Sequence, residues 1–153
     1  MELYRITLTN YADTLYATGF AGRWNMEGEE VIYASASRSL ACLENMVHRK
    51  GCGDDLRYST MVIYLPDSSS VTQVNLSDLP LGWNQGSDFG DCQLIGSAWF
   101  SKKKSMLLRI PSAVVPDEYN VVIHTRHPEF SEAKLIHVLP FSFDKRLGYG
   151  NIK

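Results

Sequence analysis

The sequence predicts an α+β fold, from three observations. Short apolar runs, several of them alternating, recur along the whole chain and are bounded by Gly, Pro, Asn and Asp. One stretch, Leu40–Arg49, instead repeats its apolar residues at the spacing of an amphipathic helix. At 153 residues the chain is long enough for one hydrophobic core and too short for two ordinary domains. Residues 1–153 are therefore expected to form a single compact domain, a mixed or antiparallel β core with a few helices.

Glu2–Leu8 reads as the first strand, with Leu3, Arg5 and Thr7 on one face and Tyr4, Ile6 and Leu8 on the other. Arg5 then points away from the apolar face, either to the surface or into a pocket. Tyr11–Tyr16 reads as a helical turn, and Gly19–Gly28 as a loop by its glycines and lack of period. Glu30–Ser35 is a short strand that leads into the Leu40–Arg49 helix. Ser37 or Ser39 suits its N-cap and Gly51 its end. Leu40, Leu43 and Val47 mark a buried stripe, with Glu44 at its margin. A carboxylate there must reach a cleft or a partner, unless it is a rim residue whose stem covers apolar surface.

Arg57–Leu65 is the strongest strand signal, β-branched and aromatic up to Pro66. A turn at Asp67–Ser70 leads to a strand at Val71–Leu76. Trp83–Gly96 reads as a long ordered loop, and loops of that length are commonly functional. Ile95–Phe100 is compatible with either a helix or an extended segment. Ser105–Ile110 is a strand closed by Pro111, and Ser112 follows between two prolines. Tyr119–His124 and Leu135–Phe143 are the remaining strands, with a turn at His127–Pro128.

A formal net charge of -2 argues against a nucleic-acid binder that works by phosphate neutralisation. The basic run SKKKS at Ser101–Ser105 is expected to be a solvated loop. No apolar stretch approaches the roughly 20 residues of a membrane span. The N-terminus lacks the basic start and apolar run of a signal peptide, so a cytoplasmic location is expected. Cys42, Cys52 and Cys92 have no CxxC spacing and no histidines at ligand spacing, so neither a disulfide nor a metal is expected. His48, His124, His127 and His137 are dispersed and read as structural or surface residues. Walker A, GxGxxG, HExxH and GxSxG are all absent.

What remains is a set of Arg, Tyr, Glu and Ser residues. A guanidinium fork suits a pyrophosphate, a tyrosine face suits a planar heterocycle, and a carboxylate suits a ribose hydroxyl. Such a set is compatible with a dinucleotide broken at its glycosidic bond. Composition alone carries it no further.

The motifs are more specific. YRI at Tyr4–Ile6, GRWN at Gly22–Asn25, VIYAS at Val31–Ser35, SLACLE at Ser39–Glu44, LRIPSAVVP at Leu108–Pro116, Asn120, HPEF at His127–Phe130 and FSFDKRL at Phe141–Leu147 follow one another in the order of the RES domain. The resemblance runs from Tyr4 to Leu147. The RES domain is the toxin half of the RES–Xre toxin–antitoxin pairs of bacteria. The resemblance implies a fold similar to the catalytic domain of ADP-ribosylating toxins such as diphtheria toxin, with the β core split around an NAD cleft. It implies NAD as substrate, cleaved at its nicotinamide–ribose bond, and no metal. It also implies a cognate Xre-type antitoxin as partner, and neither nucleic-acid nor membrane contact by this chain.

Carried over residue by residue, the resemblance assigns Arg23, Glu44 and Ser112 as the catalytic set. Glu44 would hold the ribose and stabilise its developing charge, and Arg23 would hold phosphate or support the cleft. Ser112 would orient the carboxamide or support Glu44. Tyr33 would stack at the nicotinamide end, Tyr4 and Arg5 would contact the cofactor, and Trp24 would belong to the core. One departure is visible: Ser97, in Gly96–Trp99, stands where an acidic residue is expected. The acceptor stays open between water, phosphate and a protein side chain. One alternative is therefore ADP-ribosylation of a specific host protein. Another is an inactive interaction module, against which the intact Arg23, Glu44 and Ser112 argue.

Overall fold

The structure, a computed structural model, describes residues 1–48, 57–86 and 89–147, with only the backbone of Lys145. Seven strands form one sheet: β1 (Glu2–Leu8), β2 (Val31–Ser35), β3 (Tyr58–Tyr64), β4 (Val71–Gln73), β5 (Leu107–Pro111), β6 (Tyr119–His124) and β7 (Lys134–Phe141). Their order is β4-β5-β6-β2-β1-β3-β7. Every pairing is antiparallel except β4 with β5, so the sheet is mixed, as the sequence implied. Two helices, α1 (Arg38–His48) and α2 (Gly90–Lys102), complete the α+β fold.

The sheet has a seam at its centre. β1 pairs with β3 along its whole length, from Glu2 opposite Tyr64 to Leu8 opposite Tyr58. β2 pairs with β6 in the same way, from Val31 opposite His124 to Ser35 opposite Asn120. β1 and β2 share a single paired position, Tyr4 opposite Ser35. Two fully laddered halves thus meet at one point, and a cleft lined by both strands opens beside it.

β3 is buried on both faces over six of its residues, which accounts for its unbroken apolar run. Leu3, Ile32, Met61, Ile63, Leu107 and Ile123 form one core cluster. Trp24, Cys92, Trp99, Leu108, Ile110 and Val122 form a second, which includes the buried side of α2. Each such side chain contributes about 1.5–3 kcal/mol on burial. Ile6, Ala41 and Tyr58 form a third cluster, joining α1 to the sheet.

α1 begins two residues before its expected start. Ser37 is its cap, with Oγ accepting the Leu40 N–H at 3.1 Å. Arg49, Gly51 and Cys52 lie outside the described residues. The expected stripe is displaced: Leu40 and Ala41 are buried, whereas Leu43 is 38% and Val47 54% exposed. Small Ala41 packs against the sheet, and Asn45 Nδ2 donates to the Ile6 carbonyl at 2.8 Å. Positions 40, 41, 44 and 45 therefore form the inward face. Glu44 is on that face, not at its margin.

Residues 83–96 are not one loop, since α2 begins at Gly90. Gly96, one of the glycines that suggested a loop, has another cause. A Cβ on Gly96 would sit 1.8 Å from the Trp24 carbonyl oxygen, so the helix crosses that backbone where only Gly fits. Ile95–Phe100 is helical, and SKKKS contains the helix end, with Lys103 in the left-handed region at φ 48°. Between residues 11 and 16 there is no helical turn; a 3₁₀ turn occupies Thr9–Tyr11. β4 stops at Gln73 and a 3₁₀ turn follows at Leu76–Asp78. Pro111 belongs to β5 because β4 has ended by then, so its missing N–H faces an unpaired side. β7 ends at Phe141, two residues early. No described helix is long and apolar enough to cross a membrane.

Candidate active site

The cleft has a volume of about 510 Å³. Tyr4, Arg5 and Ile6 of β1 line it from one half of the sheet, and Tyr33 and Ser35 of β2 from the other. α1 contributes Ala41, Glu44, Asn45, Val47 and His48, and the turn after β5 contributes Ala113 and Val114.

Glu44 is held from its buried side. Its Oε1 accepts the Ser112 hydroxyl at 2.7 Å and the Asn120 Nδ2–H at 2.5 Å. Asn120 Oδ1 in turn accepts the Ser35 hydroxyl at 2.6 Å. Hydrogen bonds to a charged group are worth about 1.5–3 kcal/mol each, so this carboxylate is firmly oriented. Its side chain is 19% exposed, and Oε2 has only the His48 Nε2, 4.0 Å away. Among the described residues no hydrogen bond reaches Oε2, which is the atom left for a ligand.

Ser112 is fully buried and does not line the cleft. Besides donating to Glu44, its Oγ accepts the Val114 N–H at 3.1 Å and the Val115 N–H at 2.9 Å. The hydroxyl supports Glu44 and caps the turn in one arrangement. Of the two roles open to it, this geometry fits support of Glu44.

The Arg23 loop is built on Tyr33 and Asn25. The Tyr33 hydroxyl donates to Asn25 Oδ1 at 2.7 Å and accepts the Trp24 N–H at 3.0 Å. Burial pushes the phenol pKa well up, which keeps it a donor. Asn25 Nδ2 donates to the carbonyls of Phe20, Met26 and Glu29, so one buried amide gathers the loop. A Cβ on Gly22 would lie 2.8 Å from both Asn25 Oδ1 and the Tyr33 hydroxyl, which leaves no room for a side chain. Arg23 Nη1 donates to the Trp83 carbonyl at 2.7 Å, and its guanidinium lies 4.3 Å over the Phe89 ring.

Arg5 lines the cleft half-buried, and burial pulls its pKa down. Among the described residues its side chain has no ion pair and no hydrogen bond. A desolvated guanidinium without a partner favours an anionic ligand. Asn45 Oδ1, in the same wall, is a buried acceptor without a partner among the described residues. The Tyr4 hydroxyl donates to Glu2 at 3.0 Å, and Arg38 lies 5.2 Å over its ring. Trp24 is buried in the core, as expected.

Arg5, Arg23, Tyr4, Tyr33 and Glu44 thus surround one cleft, with Ser112 behind Glu44. Ser97 lies elsewhere, on α2, where its hydroxyl donates to Glu29. The Glu29 carboxylate also accepts the Met26 N–H at 2.8 Å. Asn120 had no role assigned from the sequence. A polar residue inside the apolar strand YNVVIH was the available signal, because buried amides need partners. His48 was read as structural or surface, and the helix brings it to the cleft beside Glu44. Among the described residues no cluster of three or more His, Cys, Asp or Glu is suited to a metal.

The RES domain family model matches residues 2–144. The Prs ADP-ribosylating toxin of Sphingobium sp. strain YBL2 is 34% identical over 144 residues, covering 91% of this chain and 89% of its own. The Toxin Res of Yersinia enterocolitica is 32% identical over 152 residues, covering 96% and 99%. The Toxin Res of Pseudomonas putida is 33% identical over 150 residues, with the same coverage. Among solved structures, the M. tuberculosis MbcT–MbcA toxin–antitoxin complex matches in fold, with a TM-score of 0.75 at 18% identity over 92% of this chain and 84% of that one.

Proposed function

The chain belongs to the RES domain family, and from that premise we propose that it is the toxin of a toxin–antitoxin pair, acting by cleaving the nicotinamide–ribose bond of NAD. The observation that carries this reading is the state of Glu44. One carboxylate oxygen is fixed by Ser112 and Asn120, and the other is left to the cleft. As the glycosidic bond lengthens, nicotinamide leaves as a neutral ring and positive charge develops on the ribose. A carboxylate already oriented beside that sugar stabilises the charge without reorganising.

The other residues fit the rest of such a substrate. Arg5 and Arg23 supply cationic donors for the pyrophosphate, and Tyr33 with Tyr4 supply aromatic surface for a ring. The cleft volume lies within the range of ligand pockets. The Ser112 role is positioning, since it meets Glu44 and not the cleft. The partner in this reading is an antitoxin of the Xre type, supported by the motif resemblance and by a fold neighbour that is itself a toxin–antitoxin complex.

Transfer of ADP-ribose to a protein is the second reading, favoured by the relative described as an ADP-ribosylating toxin. Both readings use the same cleft and differ in the acceptor. The test is turnover of NAD by the purified protein, with and without phosphate, beside Glu44→Ala, with products resolved by mass. Free nicotinamide with ADP-ribose or its 1″-phosphate, absent in the variant, supports cleavage. NAD labelled in its ADP-ribose part and recovered on a protein band supports transfer. No release of nicotinamide in either buffer, from folded protein, would favour transfer onto a protein target absent from the assay.

A further inference from the structure

His48 has no part in that reading, yet its position relative to Glu44 is specific. It ends α1 one turn after Glu44, with a side chain 76% exposed and Nε2 4.0 Å from Glu44 Oε2. Both residues line the cleft. That distance is too long for a direct hydrogen bond. It suits one oxygen atom set between them. An oxygen about 2.8 Å from each nitrogen and oxygen would see the two at an angle of roughly 90°, near the angle between the O–H bonds of water. A water placed there points its protons at Oε2 and Nε2 and turns its lone pairs away from both.

We propose that His48 Nε2 takes the proton of the attacking water. The inference rests on the NAD-cleavage reading of this cleft. The water oxygen bonds to the ribose carbon as the bond from that carbon to the nicotinamide nitrogen breaks. The electron pair of the broken bond stays on the ring nitrogen, so nicotinamide leaves neutral. One water proton passes to the neutral imidazole, which returns it to solvent from its exposed position. Glu44 Oε2 keeps a lone pair for a ribose hydroxyl throughout.

The other charged or titratable groups lining the cleft are less suited to the role. Arg5 and Arg23 have no lone pair to offer, and the Tyr33 hydroxyl is engaged by Asn25 and Trp24. The Tyr4 hydroxyl is turned to Glu2, and Ala113 and Val114 opposite α1 carry no charge. Imidazole is the side chain in this set with a lone pair free to take the proton and an exposed position from which to return it.

The experiment compares nicotinamide release by the wild-type chain, His48→Ala and His48→Gln. Exposure of the side chain makes both variants compatible with the fold, checked by an unchanged thermal midpoint. Turnover of both is expected to fall by about 100-fold, with little change in KM, as for loss of a general base. Free imidazole added to His48→Ala is expected to restore part of the rate. Wild-type rates in either variant, or a loss that imidazole does not restore, would overturn the assignment while leaving NAD cleavage in place. No release by the wild-type chain itself would overturn both.

Discussion

Ser112 and Glu44 stand 68 residues apart in the chain and share a 2.7 Å hydrogen bond that the hydroxyl donates. The same hydroxyl accepts two backbone N–H groups of the following turn. Ser112→Ala therefore removes support from the carboxylate and leaves two part-buried backbone donors without this acceptor. We expect a loss of about 1–3 kcal/mol in stability, read by urea unfolding. Nicotinamide release should fall with it, in kcat more than in KM, because the defect lies in the orientation of Glu44.

Asn120 tests the electrostatics of the same network. Asn120→Ala removes one donor to Glu44, whereas Asn120→Asp adds a second carboxylate against it. An uncompensated charge there costs more than a lost hydrogen bond, about 3–5 kcal/mol against 1–3. The denaturation midpoint of Asn120→Asp at pH 7 should therefore fall below that of Asn120→Ala. The reverse order would mean that the site tolerates paired carboxylates.

Tyr33→Phe keeps the ring in the cleft and deletes the hydroxyl that meets Asn25 and Trp24. Its effect should reach the substrate through the Arg23 loop. The expected result is a raised KM for NAD, with kcat within a few-fold of the wild type. A large fall in kcat at constant KM would assign the hydroxyl to the chemistry itself.

His124 sets an acid-side limit on stability. It is fully buried and stacked on Phe100, with centroids 4.0 Å apart. Its Nδ1 accepts the Arg126 N–H at 3.2 Å, which puts the ring proton on Nε2, 3.0 Å from the Phe100 carbonyl. Burial pulls its pKa below the ordinary value. The unfolded chain therefore binds this proton at higher pH than the folded chain does. The stabilisation is complete above about pH 6.5 and is lost as pH falls toward the folded value. The urea midpoint should drop between pH 7 and 5, and His124→Gln should flatten the drop.

Strands with a continuous or alternating apolar pattern were the most legible in the sequence. β6 falls at its expected bounds, and β3 shows its double burial as an unbroken apolar run. The misreadings share a physical cause: residues chosen for a tertiary contact override the local pattern. Gly96 looks like a loop residue because the Trp24 backbone passes where a side chain would be. Leu43 and Val47 look like core, yet Ala41 and Asn45 decide which face of α1 meets the sheet. The motifs pointed to Arg23, Glu44, Tyr33 and Ser112, and the fold brings the first three to one cleft with Ser112 behind Glu44. No local pattern reports Asn120 as a donor to a residue 76 positions earlier.

The seam between β1 and β2 has a consequence for synthesis. Each strand takes its full-length neighbour from much later in the chain, β1 from β3 and β2 from β6. Glu44 emerges from the ribosome long before Ser112 and Asn120, the two groups that orient it. A nascent chain carries the acid without its supports and the two walls without the ladder that sets them apart. The network around Glu44 is then complete only when β6 has been made, so a chain released before Asn120 lacks both that donor and the ladder that holds β2.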